Sequence, residues 1–436
     1  MRKVRFADFF AGTGGIRLGF EQALSKFGVK GECVKSVEIN PDACKTYEMN
    51  FGVNPQGDIR EVEELPPVDV ILSGFPCQAF SYAGLQKGFA DTRGTLFFEV
   101  ERLLRKYKPQ VCFLENVRGL TTHDKGRTFQ TILGKLRDIG YHVEYRLVNA
   151  SSHGVPQNRT RIYIVCVRDV APQIEIESDV GAADSHKFKC GQMTLFGKNI
   201  KPKLVKDILE DSPDEKYDVS DEYRKSLEKV VGGDLTKLHG VRLIDTRHGN
   251  SIHSWEIGRK GACSKAEVEF MNLLVSNRRK HEFGTQQDGK PLSVDQIRTF
   301  YKKSDLDSIL DSLLTKGYIK REKDGKINLV CGNMSFEVFK FLDPESVSIT
   351  LTSSDCNRLG VYHNGRVRRL TPRECSLIQG YPSTYKIHPK DECAYKQFGN
   401  AVCVPVIQEI FQDLLEHTPM LLDSLVTGSE IGVHGG

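Results

Sequence analysis

Val4-Arg5-Phe6-Ala7-Asp8-Phe9-Phe10-Ala11-Gly12-Thr13-Gly14-Gly15 opens the chain, and its order of residue types decides the fold. Val4 to Phe10 reads as a buried strand. A glycine turn follows, then a helix as far as Lys26. Glycines in such a turn let the backbone approach a ligand closely. The helix start behind them leaves N–H groups free for polar or anionic atoms. Cys33 to Ile39 is predicted as the second strand, and near its end Glu38 can accept hydrogen bonds from ribose hydroxyls. On these features alone a dinucleotide-dependent oxidoreductase, another nucleotide-cofactor enzyme and a plain glycine turn all stay open.

The same alternation continues outward. Asp69 to Ser73 is a short apolar strand, Leu96 to Tyr107 a helix with Leu96, Val100, Leu103 and Leu104 on one face, and Val111 to Leu114 a buried strand ending at Glu115. A helix over 128–139 and strands over 143–148 and 161–167 complete the pattern. It predicts an α/β fold with a doubly wound, mostly parallel sheet. In such sheets, sites form at the carboxyl ends of strands. Gly12, Glu38, Cys77 and Glu115 are all expected there, which argues for one common site.

From about Pro172 the alternation breaks down. The chain then divides into a first catalytic part over 1–172, a second, smaller domain over 173–395, and a closing catalytic part over 396–436. Within the second domain, Ser293 to Tyr301 and Asp305 to Thr315 read as helices. Leu306, Ile309, Leu310 and Leu313 give the latter an apolar stripe. Tyr318 to Arg321 and Lys326 to Val330 flank the turn Asp324-Gly325. This predicts a winged-helix segment over 290–331, suited to DNA contact or to scaffolding.

Bulk properties agree with a multidomain globular protein. The chain has 436 residues, a net charge of +4 and twelve scattered cysteines with no Cys-x-x-Cys pair. That spacing suits neither a disulfide framework nor a zinc ribbon, and no metal site is expected. No apolar run reaches membrane-spanning length and no signal segment precedes the first strand, so a cytoplasmic location is expected. The basic runs Arg278-Arg279-Lys280-His281 and Arg366-Val367-Arg368-Arg369 are candidate phosphate contacts, against the alternative of solvated faces.

The chemistry is carried by Gly74-Phe75-Pro76-Cys77-Gln78-Ala79-Phe80-Ser81 and Glu115-Asn116-Val117. A Pro-Cys pair alone is most often a buried structural cysteine. Together with an acid and a nucleotide-cradling loop, it suits covalent catalysis assisted by a general acid. Adding a methyl group to C5 of cytosine needs those parts. A thiolate at C6 makes C5 nucleophilic, and a carboxylic acid at N3 makes C6 electrophilic. In these motifs the chain resembles the DNA (cytosine-5) methyltransferases, especially those of bacterial restriction-modification systems. Gln157-Asn158-Arg159-Thr160-Arg161-Ile162-Tyr163, Leu370-Thr371-Pro372-Arg373-Glu374-Cys375 with Gln379-Gly380-Tyr381-Pro382, and Gly399-Asn400-Ala401-Val402 resemble further motifs in the family's order. They cover roughly the first 170 and last 70 residues. Leu377 departs from the pattern, where an arginine is usual.

The resemblance implies the S-adenosylmethionine-dependent methyltransferase fold and a target-recognition domain over 173–395. It implies Cys77, Glu115, Arg159 and Arg161 as the catalytic set, with Arg161 on the cytosine O2. S-adenosylmethionine is the implied cofactor, held by Phe10, Gly12, Gly14, Gly15, Glu38, Asp58, Ile59, Pro76, Leu96, Asn400 and Val402. Asp58 would accept from the adenine amino group. Gln78, Ser81, Arg93, Arg278, Arg279 and Lys280 are expected on double-stranded DNA, whose target base must flip out to reach Cys77. The loop from Gln78 to Arg93 would close over it. The implied protein is a monomer, with a cognate restriction endonuclease that shares its site without binding it. A tRNA cytosine-5 methyltransferase and a non-catalytic winged-helix regulator are the rival readings. The large region between the motifs argues against the first, and the intact Cys77 and Glu115 motifs argue against the second.

Overall fold

A computed structural model of the chain describes residues 3–76, 96–179, 194–195, 198–199, 203–285, 289–332 and 336–428. In chain order it begins with β1 (Val4–Phe9), α1 (Gly15–Lys26), β2 (Gly31–Val37), α2 (Pro41–Phe51), β3 (Val70–Ser73), α3 (Leu96–Tyr107) and β4 (Val111–Val117). There follow α4 (Arg127–Asp138), β5 (His142–Asn149), β6 (Thr160–Val167) and the short pair β7 (Thr194–Leu195) and β8 (Lys198–Asn199). Next come α5 (Asp221–Val230), β9 (Arg242–Leu243), β10 (Ser251–Ile252), α6 (Lys265–Asn277), α7 (Val294–Arg298), α8 (Leu306–Lys316), β11 (Ile319–Arg321) and β12 (Ile327–Leu329). The chain ends with β13 (Lys340–Phe341), β14 (Leu359–His363), β15 (Arg366–Arg369), α9 (Pro372–Ile378), α10 (Asp391–Asn400), α11 (Val404–His417) and α12 (Pro419–Thr427).

Two compact units result. The first comprises Met1–Ile208, Val347–Cys356 and Pro372–Gly436, and the second Leu209–Ser346 with Asn357–Thr371. The domain limits expected at 172 and 395 do not coincide with these. The chain returns to the first unit at Pro372, so α9 and α10 belong with the sheet. The strip Val347–Cys356 belongs there too, because Gln157 Oε1 accepts from Leu351 N–H at 2.9 Å and Arg159 reaches the Leu351 carbonyl at 2.7 Å.

The first unit is built on a six-stranded sheet of order β2-β1-β3-β4-β6-β5. β2, β1, β3 and β4 are parallel, whereas β6 runs antiparallel to both β4 and β5. The expected mostly parallel sheet is therefore present. Strand alternation explains why its central strands are apolar throughout. Phe6, Leu72, Phe113 and Val165 face one side, where α1 supplies Phe20 and Leu24 and α11 supplies Ile407, Ile410 and Phe411. Phe9, Ile71, Leu114 and Ile164 face the other, against Leu103 and Leu104 of α3 and Ile132, Leu133 and Leu136 of α4. Gly19 lets α1 and α11 approach: a Cβ there would lie 2.6 Å from the Ile407 Cβ.

In the second unit a five-stranded sheet of order β10-β9-β13-β14-β15 packs with α5 through Tyr223, Leu227, Leu243, Phe341 and Val367. A separate core gathers α6, α7, α8 and the β11–β12 hairpin around Trp255, Phe270, Leu274, Ile297, Leu310 and Leu313. Leu292, ahead of α7, forms an isolated antiparallel bridge with Ile327 of β12. The helix α6 and the five-stranded sheet carried no readable pattern in the sequence.

Candidate functional site

The glycine turn between β1 and α1 is held open by unusual backbone. Phe10, Gly12 and Gly14 all have positive φ, at 54°, 52° and 76°. Glycine tolerates this region without steric cost, while Phe10 is a non-glycine exception. A Cβ on Gly12 would meet nothing nearer than the Phe10 carbonyl oxygen at 3.9 Å, so the space over the turn is free. Gly15 is different: a Cβ there would lie 2.5 Å from the Tyr381 hydroxyl and 2.7 Å from Val402 Cγ2. Tyr381 Oη is also 2.7 Å from Thr13 Oγ1, and the Tyr385 hydroxyl donates to the Thr13 carbonyl. The closing segment of the chain thus seats directly on the turn. Val402 is buried, while Asn400, at the end of α10, is exposed.

Glu38 follows β2 and fastens the turn. Its Oε2 accepts from Gly12 N–H at 2.8 Å, and its Oε1 from Asn40 N–H at 2.8 Å. Both oxygens keep a second lone pair for a ligand hydroxyl. Beside it Ile39 is 62 % exposed, an unusual position for a large aliphatic side chain next to a polar turn. The sequence reading did not single it out. Ile59 is buried with Val37 and Val62. Asp58 caps the turn ahead of it: Oδ1 accepts from Arg60 N–H at 2.9 Å and from Arg60 Nε at 3.0 Å. Pro76 and Leu96 are partly buried at the two ends of the interval that contains Cys77. Cys77, Gln78, Ser81 and Arg93 lie outside the described residues.

Glu115 lies inside β4, which runs on to Val117, rather than just past a strand end as expected. Pairing with β6 sets Glu115 opposite Tyr163 and Val117 opposite Arg161, so Glu115 and Arg161 are diagonal neighbours on one face. Arg161 Nε stands 3.2 Å from Glu115 Oε1. Burial raises the Glu115 pKa, and the Arg161 and Arg159 guanidinium groups pull against that rise. The result is a carboxyl held above its ordinary range. Gly74 passes close by, with its Cβ position 3.8 Å from Glu115 Oε2. Asn116 adds a support: its Nδ2 donates to the Phe75 carbonyl at 3.1 Å, tying β4 to the segment that leads to Cys77.

Arg159 was expected with Cys77, Glu115 and Arg161, but its guanidinium is engaged elsewhere. It is buried, and it donates to the Leu351 carbonyl at 2.7 Å and to the Ala401 carbonyl at 2.6 Å. Its pKa is lowered to about 10 by burial, then by Arg161. Arg159 braces three separate stretches of the first unit. Gln157 does the same, its Nε2 donating to Gln379 Oε1 at 3.0 Å.

The basic runs of the second unit need correction. Arg278 is only 6 % exposed, and its Nη2 donates to Asn328 Oδ1 at 2.9 Å, so it cannot meet a phosphate. Arg279 and Lys280 are exposed. In the other run Arg368 is buried and Arg366 pairs with Asp218 at 2.9 Å. That pairing holds β15 to the segment before α5. Charge runs read from sequence do not separate buried braces from open cations.

No helix among the described residues is long and apolar enough to cross a membrane. Comparison with known proteins agrees with the site. The chain is 58 % identical to Type II methyltransferase M.BanI of Aneurinibacillus aneurinilyticus, covering 95 % of this chain and 96 % of that one. It is 56 % identical to Type II methyltransferase M.HgiCI of Herpetosiphon aurantiacus, over 95 % and 98 %. The fold matches the Entamoeba histolytica methyltransferase EhMeth at a TM-score of 0.53 and 17 % identity, over 96 % and 99 % of the two chains. The model of the C-5 cytosine-specific DNA methylase family matches residues 4–416, an interval that contains the glycine turn, Cys77, Glu115 and the closing segment alike. With identity this high over nearly its whole length, the chain belongs to that family and is a DNA cytosine-5 methyltransferase.

Proposed function

We propose that this chain methylates C5 of a flipped-out cytosine in one double-stranded DNA sequence, with Cys77 as nucleophile and Glu115 as general acid. The buried carboxyl of Glu115, raised in pKa beside Arg161, is the observation that carries this reading. The Cys77 thiolate adds to C6 while Glu115 delivers its proton to N3, and the ring becomes an enamine nucleophilic at C5. Arg161 hydrogen-bonds the cytosine O2 and so fixes the ring against the acid. Once C5 carries its methyl group, the C5 proton leaves to a base. The C6–S bond then breaks, and N3 returns its proton to Glu115.

The turn fits S-adenosylmethionine. Free space lies over Gly12, Glu38 offers lone pairs to ribose hydroxyls, and Ile39 offers a face to adenine. The bound cofactor supplies an electrophilic methyl group on a sulfonium. Phe10, Gly14, Gly15, Asp58, Ile59, Pro76, Leu96, Asn400 and Val402 complete its surroundings in this reading, and Arg159 positions them by bracing the Ala401 carbonyl.

Site choice belongs to the second unit. The order α6, Leu292 bridge, α7, α8, β11–β12 supports reading this segment as a winged helix, with the hairpin as wing. Its outer residues Lys320, Arg321 and Lys323 are exposed, whereas the outer face of α8 carries exposed Asp307 and Asp311. The wing therefore meets phosphate and α8 does not enter a groove. Acting as a monomer, the enzyme marks the site of a cognate endonuclease that it does not bind, as the modification half of a restriction-modification system.

The test is trapping. Duplex DNA carrying 5-fluorocytosine in the recognised site should form a stable covalent complex with the wild-type chain, because fluorine cannot leave C5 as a proton does. Cys77→Ala should bind DNA and cofactor but form no adduct and turn over no substrate. Measurable methyl transfer by Cys77→Ala would overturn the mechanism.

A further inference from the structure

We propose that Asp42, His388 and Cys393 form a binding site for one divalent transition-metal ion, zinc by the nature of the donors, that clips α2 to α10. Asp42 lies 351 residues from Cys393 in sequence, and with no paired-cysteine spacing to mark it no metal site was expected. The fold brings a carboxylate oxygen, an imidazole nitrogen and a thiol sulfur within 4.8 Å of one another. Asp42 lies in the first turn of α2, Cys393 in the first turn of α10, and His388 just ahead of α10.

Geometry supports metal rather than a chance cluster. Cys393 Sγ is 3.3 Å from Asp42 Oδ2, and His388 Nε2 is 3.7 Å from Asp42 Oδ1. Ligand bonds of roughly 2.0–2.3 Å about a tetrahedral zinc give donor–donor separations of about 3.3–3.8 Å, so a small rotation of the carboxylate, within the 4.8 Å that spans one donor from each residue, lets all three share an ion. The independent observation is His388 itself. Its side chain is 1 % exposed, and its Nε2 has no hydrogen-bond partner although it points at the carboxylate. A buried polar atom without a partner is costly and asks for an explanation. A metal ion between the three groups supplies one.

The chemistry balances. Cys393 now donates its thiol proton to Asp42. Metal binding releases that proton to solvent, and thiolate and carboxylate together neutralise a dication. His388 Nδ1 accepts from Lys390 N–H at 3.0 Å and lies 3.4 Å from the Lys390 carbonyl. With metal on Nε2 the ring proton moves to Nδ1, which donates to that carbonyl while the Lys390 N–H gives up its bond to the ring. Imidazole and thiolate favour zinc over magnesium or calcium, and three protein donors leave the fourth position to water. Lys390 and Lys396 bring positive charge near Cys393 and weaken the site. Gln397 Nε2 already donates to the Asp42 carbonyl at 2.9 Å, so the ion would reinforce an existing joint.

The experiment titrates the chelator-treated, full-length chain with Co2+, whose thiolate complexes absorb in the near ultraviolet. We expect about one equivalent bound per chain, with a thiolate-to-metal band that persists in Cys77→Ala. Cys393→Ser and His388→Gln should each lose the band and roughly tenfold or more in affinity. Zn2+ should raise the melting temperature of wild type but not of Cys393→Ser, which is partly exposed and keeps the fold. No stoichiometric binding, a band that survives in both variants, or an equal thermal shift in Cys393→Ser would overturn the proposal.

Discussion

Replacing Glu115 by Gln tests the acid directly and leaves the fold intact. Gln keeps an oxygen that can accept from Arg161 Nε, now 3.2 Å from the carboxylate, and only the transferable proton is lost. A general acid contributes about 10²–10⁴-fold, or about 2.7–5.4 kcal/mol of barrier. The expected loss in single-turnover methyl transfer therefore lies in that range, with DNA and cofactor binding nearly unchanged. The pH dependence separates chemistry from positioning. Burial raises the Glu115 pKa, so its active, protonated form persists above the ordinary carboxylate range and is lost as pH rises through the raised value. Wild type should show that falling limb in the rate of adduct formation, and Glu115→Gln should not. The stability sign follows from the same shift. The folded state binds this proton more tightly than the unfolded one, so Glu115 costs stability as pH rises from the unfolded to the folded pKa. Glu115→Gln should lose that slope in melts taken across the acid range. Release of tritium from C5 of the target cytosine and transfer of a labelled methyl group are the assays. Turnover near wild type, or a falling limb that survives in the variant, would refute the acid role.

Gly15→Ala should overpack the joint with Tyr381 and Val402, at a cost of about 1–3 kcal/mol seen as a lower melting temperature, and should weaken cofactor binding. Glu38→Ala should lose the Gly12 tether and any ribose contact, weakening S-adenosylmethionine binding by roughly 1.5–3 kcal/mol for each charged hydrogen bond, measured by calorimetry. Arg278→Ala should destabilise the second unit in melts, whereas Arg279→Ala and Lys280→Ala should spare stability. If those two touch phosphate, each should reduce the salt slope of DNA binding by about 1.

The first unit was legible because its central strands β1, β3 and β4 are buried on both faces. Phe9, Ile71 and Leu114 sit in continuous apolar runs bounded by glycine or polar turns, so their strands emerged from the apolar pattern, and the helix over 96–107 from its periodicity. The second unit was not, since β9, β10 and β13 are two residues long and lean on partners distant in sequence. Only its α7–α8–hairpin segment, with an i, i+3, i+4 stripe and the Asp324-Gly325 turn, carried a local signal. At the site, residue types pointed to Glu38 and Glu115, and the family resemblance pointed to Arg161. They could not show that Arg159 and Arg278 point inward, since a buried and an exposed arginine read alike. Nor could they join Asp42 to His388 and Cys393.

The paired arginines show how one short motif serves two ends. Arg161 lies on β6 and faces the acid across the sheet, whereas Arg159 stands just ahead of that strand and holds carbonyls of Leu351 and Ala401. Leu351 belongs to a strip that interrupts the second unit's sequence, and Ala401 to the closing segment that seats on Gly15 through Val402. A break at Arg159 would therefore act at a distance from the reacting base, leaving a buried set of carbonyls without donors. Such a loss costs about 1–3 kcal/mol per orphaned group. Its signature would be weakened cofactor binding and a lower melting temperature, with only the smaller upward move of the pH profile that the lesser of the two restraining charges allows. Loss of Arg161 should move that profile further upward, because the guanidinium is the first of the two charges that restrain the rise of the Glu115 pKa. The two arginines are thus separable by the size of that pH shift and by cofactor affinity, even though either substitution lowers the rate.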